Sequence, residues 1–385
     1  MKRILIVTNN LNIGGIQKSL VDLLCLIAPY YDITLYCVEP SGMLNNQIPT
    51  SVKIIEGNKF AKVAEYDRNQ CRQELGFSYF VVRVTLSMFS KYFGRKWPAF
   101  VLNKMAGKVA GEYDLAISYT HPFSDDKFEN LGNEIVLQQV NAKRKACFIH
   151  CDYSKYGGDC DYNRSLFRKY DKIVGVSRSV AECFANCVEG VTEKMTFVYN
   201  WCKVDEIKEL SIKDTVKYDK PTFVSVSRLS EEKGLSRCLH QMKKLMDEGK
   251  EFKWVMVGDG VLREELEKEI KALELSGCVE MVGTQKNPYK YIKDASYLIL
   301  LSFHEAAPMV YNEAACLGIP ILTTNTLSAK EIVEERGWGI VCSNDDGGIY
   351  QMLSGALTEK YNVKRRFRVE ELGGLVRKQF EGLFE

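Results

Sequence analysis

Apolar residues fall in short blocks along the 385-residue chain, separated by polar loops and by stretches of helical periodicity. The first block, Ile4 to Val7, leads into the polar loop TNNLNIGG. An amphipathic stretch from about Ile16 to Ile27 follows, and then a second block, ITLYCV, at 33–38. That order predicts a β-α-β unit. The pattern starts again at PTFVSVSRLSEEKGLSRCLHQMKKLMDEG, with Thr222 to Val226 as strand, 227–234 as loop and a helix from Leu235. The blocks KWVMVG, VEMVG, YLILL, IPILTT and GIVCS then alternate with helix-like stretches. Continuous apolar strands alternating with helices predict parallel sheets covered on both faces. The expected fold class is α/β, built as two doubly wound, Rossmann-like domains. The charged stretch SIKDTVKYDK at 211–220 has no clear period. It places domains at 1–204 and 221–365, joined by a linker at 205–220. Residues 366–385 read as a C-terminal amphipathic helix, and return of this helix to the N-terminal domain is one option the pattern leaves open.

A hydrophobic content of 46% with 26% charged residues is that of globular chains. The net charge of +2 divides unevenly: residues 1–200 hold 25 Lys and Arg against 20 Asp and Glu, and the remainder 27 against 30. So mild an imbalance, with no zinc-finger or basic-helix pattern, gives no nucleic-acid partner. Thirteen scattered cysteines fit free thiols in a reducing compartment. The densest group, Cys147, Cys151, Cys160, Cys183 and Cys187 near His150, follows no zinc-ligand spacing, so no metal is expected there. MKRILIVTNN is too short an apolar stretch for a secretory signal, and no window reaches the ~18 apolar residues of a membrane span. The expected location is the cytoplasm.

Two glutamates stand out beside YLILL. Pro308 fits the first position of a helix that runs to Leu317, where Gly318 stops it. Glu305 then lies in the loop at the carboxyl end of a parallel strand, where open α/β sheets bind ligands, and Glu313 lies on the following helix. There they suit the hydroxyls of a polyol. The plainer reading makes Glu305 an anion favoured by the helix dipole and Glu313 a surface residue. The loop RLSEEKG places Arg228 and Lys233 before a helix N-terminus, an arrangement that suits an anion, although a lone basic pair is also ordinary solvated surface. Anion and hydroxyl contacts at one sheet edge together suit a nucleotide diphosphate bearing a sugar.

These residues resemble the retaining glycosyltransferases of the GT-B fold, the glycosyltransferase family 4 or group 1 type that includes bacterial polysaccharide and glycolipid enzymes. Glu305 and Glu313 match its E-x7-E pattern, and Arg228, Lys233 and Gly234 match its R-L-x-x-x-K-G motif. Gly14 and Gly15 after the first strand, FIHCDY with His150, DKIVGVS, VGDG and NPYKYIKDAS follow in the same order. The resemblance implies two domains facing a central cleft and a nucleotide-sugar donor, with a UDP-sugar expected. Arg228 and Lys233 would hold the diphosphate, Glu313 the ribose, and Glu305 the sugar hydroxyls. Gly14 and Gly15 would admit the donor phosphate, and His150 would sit near the reacting carbon. Cations and a helix N-terminus would then do the work of a metal, so neither metal nor cofactor is expected. Ala306 and Ala307 depart from the family's Gly-Phe, which puts the donor sugar in question.

Residues 77–111 contain six basic residues, eight aromatics and no acid. Arg83, Lys91, Arg95, Lys96 and Trp97 in this segment suit contact with an anionic membrane or a lipid-linked acceptor, while a core helix with solvated cations is the plainer reading. Arg83 interrupts the apolar run, so the segment would lie on a bilayer at the cytoplasmic face. Two other readings use the same donor contacts: a nucleotide-sugar epimerase, and a non-catalytic nucleotide-sugar-binding subunit.

Overall fold

The computed structural model describes residues 1–122, 124–358, 361, 363 and 365–385. The chain divides into two compact units, Met1–Trp201 with Gly374–Glu385, and Cys202–Gly373.

The first unit is built on a seven-stranded parallel sheet in the order β3-β2-β1-β4-β5-β6-β7. Its strands are β1 (Arg3–Asn10), β2 (Asp32–Glu39), β3 (Lys53–Glu56), β4 (Val109–Ser118), β5 (Val140–Ile149), β6 (Lys172–Gly175) and β7 (Met195–Phe197). Ile4 to Val7 are wholly buried, as a strand covered on both faces requires. β1 runs three residues beyond its apolar block because β2 continues beside it. Thr8 pairs with Cys37 and Asn10 with Glu39, so residues expected in the loop are instead strand. The helices that position the site are α1 (Gly15–Ile27), α2 (Lys59–Glu65), α3 (Phe77–Phe93) and α4 (Lys96–Ala106). α2 begins at Asn58, whose side chain accepts from the amides of Phe60 and Ala61, an N-cap that fixes where the helix starts.

The second unit carries six parallel strands in the order β10-β9-β8-β11-β12-β13. They are β8 (Thr222–Val226), β9 (Lys253–Val257), β10 (Val279–Gly283), β11 (Tyr297–Leu300), β12 (Ile321–Thr324) and β13 (Gly339–Cys342). The unit begins earlier than 221. Residues 204–211, most of which fall within the expected linker, form α5 (Val204–Ser211), with Ile207 buried and Leu210 packed on the same core as Ala314 and Leu317. The helix is too short for its period to show in the sequence, and tertiary packing supplies what propensity does not. Further on lie α6 (Leu235–Asp247) and α7 (Met309–Leu317).

The last helix, α8 (Leu372–Glu381), packs against the first unit. Phe380 and Phe384 meet the ring of Tyr31 at centroid distances of 5.7 and 5.5 Å, and the Gln379 side chain accepts from the Tyr199 amide at 3.1 Å.

Candidate active site

In the second unit, Glu305 stands in the loop after β11, where the apolar block ends. Its Oε1 accepts from Lys233 Nζ at 2.5 Å and from Ser302 Oγ at 2.7 Å. Side-chain exposures of 14% for Lys233 and 12% for Glu305 make this a sheltered pair rather than a surface one. Burial of either charge alone is costly, so the pairing explains why both are tolerated. Lys233 closes the 3-10 turn Glu231–Lys233, and Gly234 then caps α6 with φ of 62°. A Cβ on Gly234 would also lie 2.5 Å from the Leu301 carbonyl, so both conformation and space call for glycine. The result brings Lys233 to the N-terminus of α6, where unpaired amides and the helix dipole favour an anion.

Arg228 is exposed and reaches Glu232 of its own loop at 3.0 Å. Glu313 lies on α7, which is buried along its whole length, and is itself 4% exposed. It is therefore no surface residue. α7 starts after Pro308, which has extended geometry at its N-cap, and stops at Gly318 with φ of 84°. Ala306 is nearly buried, and its carbonyl accepts from Ser328 Oγ.

In the first unit, the corresponding sheet edge carries amides and imidazoles. Gly14 caps α1, and Gly15 opens it with no protein atom within 4 Å of where a Cβ would stand. The fold itself thus makes no demand for glycine at 15. His150 follows β5 directly. Its ring lies 4.5 Å from that of Tyr119 and 6.5 Å from that of His121, centroid to centroid. One His150 nitrogen bonds the Tyr119 backbone and Nε2 has no partner, so the bonded nitrogen is Nδ1. His121, 5% exposed, has Nδ1 without a partner. Burial lowers the pKa of His150 to about 3, helped by His121 and opposed by the bond to Tyr119; burial alone lowers that of His121 to about 4. Both rings are therefore neutral at physiological pH, and the bond to the Tyr119 backbone leaves Nε2 of His150 as its acceptor nitrogen.

At the same edge, Glu65 at the end of α2 accepts from Asn10 Nδ2 at 2.7 Å, and Asn10 Oδ1 accepts from Gln17 Nε2 at 3.3 Å. Burial raises the Glu65 pKa to about 7; Asn10 and Arg83 pull it down, while Glu129 and Glu39 push it up. Nothing in the spacing of the sequence singled out this carboxyl.

Two of the expected membrane or acceptor residues do not reach the surface. Arg83 is buried, with Nη2 2.6 Å from Glu129 Oε1 and Nη1 3.2 Å from the Val63 carbonyl. Arg95 is wholly buried, held by Asn163 Oδ1 at 2.8 Å and Glu134 Oε1 at 3.2 Å. Their acidic partners arrive from more than thirty residues away, so the segment's lack of acids concealed both pairs. Lys91, Lys96 and Trp97 are exposed, as are Phe77, Val81, Met88, Tyr92, Phe93 and Phe100. Among the described residues no helix is long and apolar enough to cross a membrane, and no three His, Cys, Asp or Glu side chains gather as metal ligands. All thirteen cysteines are free thiols.

Two doubly wound α/β units, the second with a cation at a helix start beside a strand-end glutamate, define the GT-B glycosyltransferase fold. Solved structures share it over nearly the whole chain. HepE from Anabaena, in complex with UDP and glucose, superposes with a TM-score of 0.65 at 15% identity, covering 99% of this chain and 100% of that one. The Escherichia coli structure described as trehalose-6-phosphate bound with UDP-2-fluoro glucose gives 0.68 at 12% identity, covering 100% and 99%. Residues 206–356 match the family Glycosyl transferases group 1. An uncharacterized glycosyltransferase of Methanocaldococcus jannaschii is 27% identical over 41% of this chain. The Campylobacter jejuni N-acetylgalactosamine-N,N'-diacetylbacillosaminyl-diphospho-undecaprenol 4-alpha-N-acetylgalactosaminyltransferase is 26% identical over 50%. The matches span 41% and 53% of the lengths of these two relatives.

Proposed function

We propose that this protein is a glycosyltransferase that moves a sugar from a nucleotide-diphosphate donor to a glycan or lipid-linked acceptor in cell-surface polysaccharide or glycolipid synthesis. The observation that carries this reading is the sheltered Lys233–Glu305 pair at the start of α6. Lys233 and the amides of that helix bind the diphosphate, Arg228 adds charge from the loop, Glu305 holds donor-sugar hydroxyls, and Glu313 holds the ribose. As the C1–O bond to the diphosphate breaks, these positive groups stabilise the charge that develops on the leaving oxygen. They supply it without a metal. UDP is the nucleotide proposed, supported by the UDP in the complexes of structurally similar proteins. Retention of the anomeric configuration follows the resemblance to family 4, and His150, with Gly14 and Gly15, serves the reacting sugar and phosphate.

The acceptor end is proposed to meet an anionic membrane surface through Lys91, Lys96 and Trp97, at the cytoplasmic face. Incubation with radiolabelled UDP-sugars and a membrane extract tests the reading. Transfer of label into glycan or lipid, undiminished by EDTA and with the donor's anomeric configuration in the product, is the expected result. Conversion of one UDP-sugar to another would make the protein an epimerase. Binding without either outcome would make it a carrier subunit.

A further inference from the structure

Cys202 and Cys316 take no part in the donor contacts, yet their sulfurs touch. The two Sγ atoms lie 3.4 Å apart although 114 positions separate the residues along the chain. Cys202 is the first residue of the second unit and stands two residues before α5, while Cys316 lies in the last turn of α7, three residues after Glu313. Both belong to the core that Ile207, Ala314 and Leu317 fill. Cys202 is wholly buried, whereas Cys316 keeps 6% of its surface exposed. A small reagent therefore meets Cys316 first, with Cys202 directly behind it. The sulfurs of a disulfide stand about 2.05 Å apart, so bonding this pair needs a closure of only about 1.4 Å. Lys208 on α5 is close enough to Cys316 for their charges to interact, and it also pairs with Glu370 at 2.8 Å. A sulfur that turns anionic as it reacts thus has a cation beside it.

We propose that Cys202 and Cys316 form a reversible disulfide site, oxidised by a peroxide, whose closure ties α7 to the start of the second unit. The proposal stands apart from the transferase reading. The Cys316 thiolate attacks one peroxide oxygen, the O–O bond breaks, and the other oxygen leaves as hydroxide, giving a sulfenic acid at Cys316. The Cys202 thiolate then attacks that sulfur, the S–O bond breaks, and a second hydroxide leaves as the S–S bond forms. The two thiol protons turn both hydroxides into water. Two electrons pass from the sulfur pair to the peroxide, and an added dithiol returns them. Because the loop so closed is long, the link removes many conformations from the unfolded chain and holds α7 in place.

The test treats the full chain with hydrogen peroxide, blocks the remaining thiols with iodoacetamide, and maps the digest by mass spectrometry. The expected product is a peptide cross-linked between Cys202 and Cys316, lost on adding dithiothreitol. In Cys202→Ala no thiol resolves the sulfenic acid, so Cys316 should carry a dimedone adduct or a sulfinic acid that the wild type lacks. Hydrogen exchange in α7 should slow by roughly tenfold or more in the linked wild type and not in peroxide-treated Cys316→Ala. Wild type in which other thiols oxidise while Cys202 and Cys316 remain unlinked overturns the proposal and leaves the pair as core packing. So does a link that appears only in urea, or a Cys316 oxidised equally in wild type and Cys202→Ala. A link with exchange in α7 unchanged overturns the tie to that helix. The wild-type mapping needs no variant, so it decides the matter even where Cys202→Ala fails to fold.

Discussion

In the proposed site, the single contact between Lys233 and Glu305 serves both stability and chemistry. An ammonium has three donors, and one of Lys233's is directed at Glu305 Oε1. Removing either partner leaves a sheltered charge uncompensated, at a cost of order 3–5 kcal/mol for a buried pair. A loss of activity in Lys233→Met alone would therefore be ambiguous. The double variant Lys233→Met with Glu305→Gln separates the two effects, because it leaves no orphan charge. Urea denaturation should show each single variant destabilised and the double variant recovering most of that loss, while turnover of UDP-sugar stays down by ~10²-fold or more in all three. Recovery of turnover together with stability would mean that the pair only holds the loop.

At the scale of elements, α3 and α4 turn part of their apolar surface outward. Phe77, Val81, Met88 and Tyr92 are spaced four, seven and four residues apart, so they form one stripe on α3. At its end Phe89 meets Phe93 and Trp97 at centroid distances of 4.9 and 4.8 Å. Beside the exposed Lys91 and Lys96, this composition suits the proposed contact with the headgroup layer of an anionic bilayer. Replacing Tyr92, Phe93 and Trp97 together by Ser should abolish flotation with anionic liposomes. Thermal unfolding should move only modestly, since the fold loses no more than the ring contacts of Phe93 and Trp97 with Phe89. Flotation unchanged from wild type would remove the membrane role. The aromatic and basic composition of this segment was legible in the sequence, but which cations face outward was not. Arg83 and Arg95 look like Lys91 and Lys96 along the chain and differ through partners, Glu129 and Glu134 among them, that tertiary folding brings to them. The same limit hid Glu65, whose partner Asn10 lies fifty-five residues away. By contrast, the strands of the second unit, the helix start after Pro308 and the stop at Gly318 were legible because each depends on neighbours in sequence. α5 was not, since eight residues give too few turns for a period to stand out.

At the scale of the whole molecule, the chain enters the second unit at Cys202 and leaves it at Gly373, and residues Gly374–Glu385 return to complete the first unit. Val376, Phe380 and Leu383 are wholly buried there, and Lys2 lies over the Phe384 ring at 4.0 Å, so the two chain ends meet in one core. Arg377 bonds the Tyr30 hydroxyl, and Arg144 the carbonyl of Glu385. Truncating Phe380 to Ala leaves a cavity against Tyr31 and should cost ~3–5 kcal/mol, the scale for a buried aromatic. Because the second unit has its own core, the loss should fall on the first unit alone. Hydrogen exchange would then accelerate in β1, β2 and β5 and stay unchanged in β8, β9 and β11, while UDP affinity is retained. Acceleration spread equally over both sets of strands would show that the units unfold as one and that the closing helix stabilises them jointly.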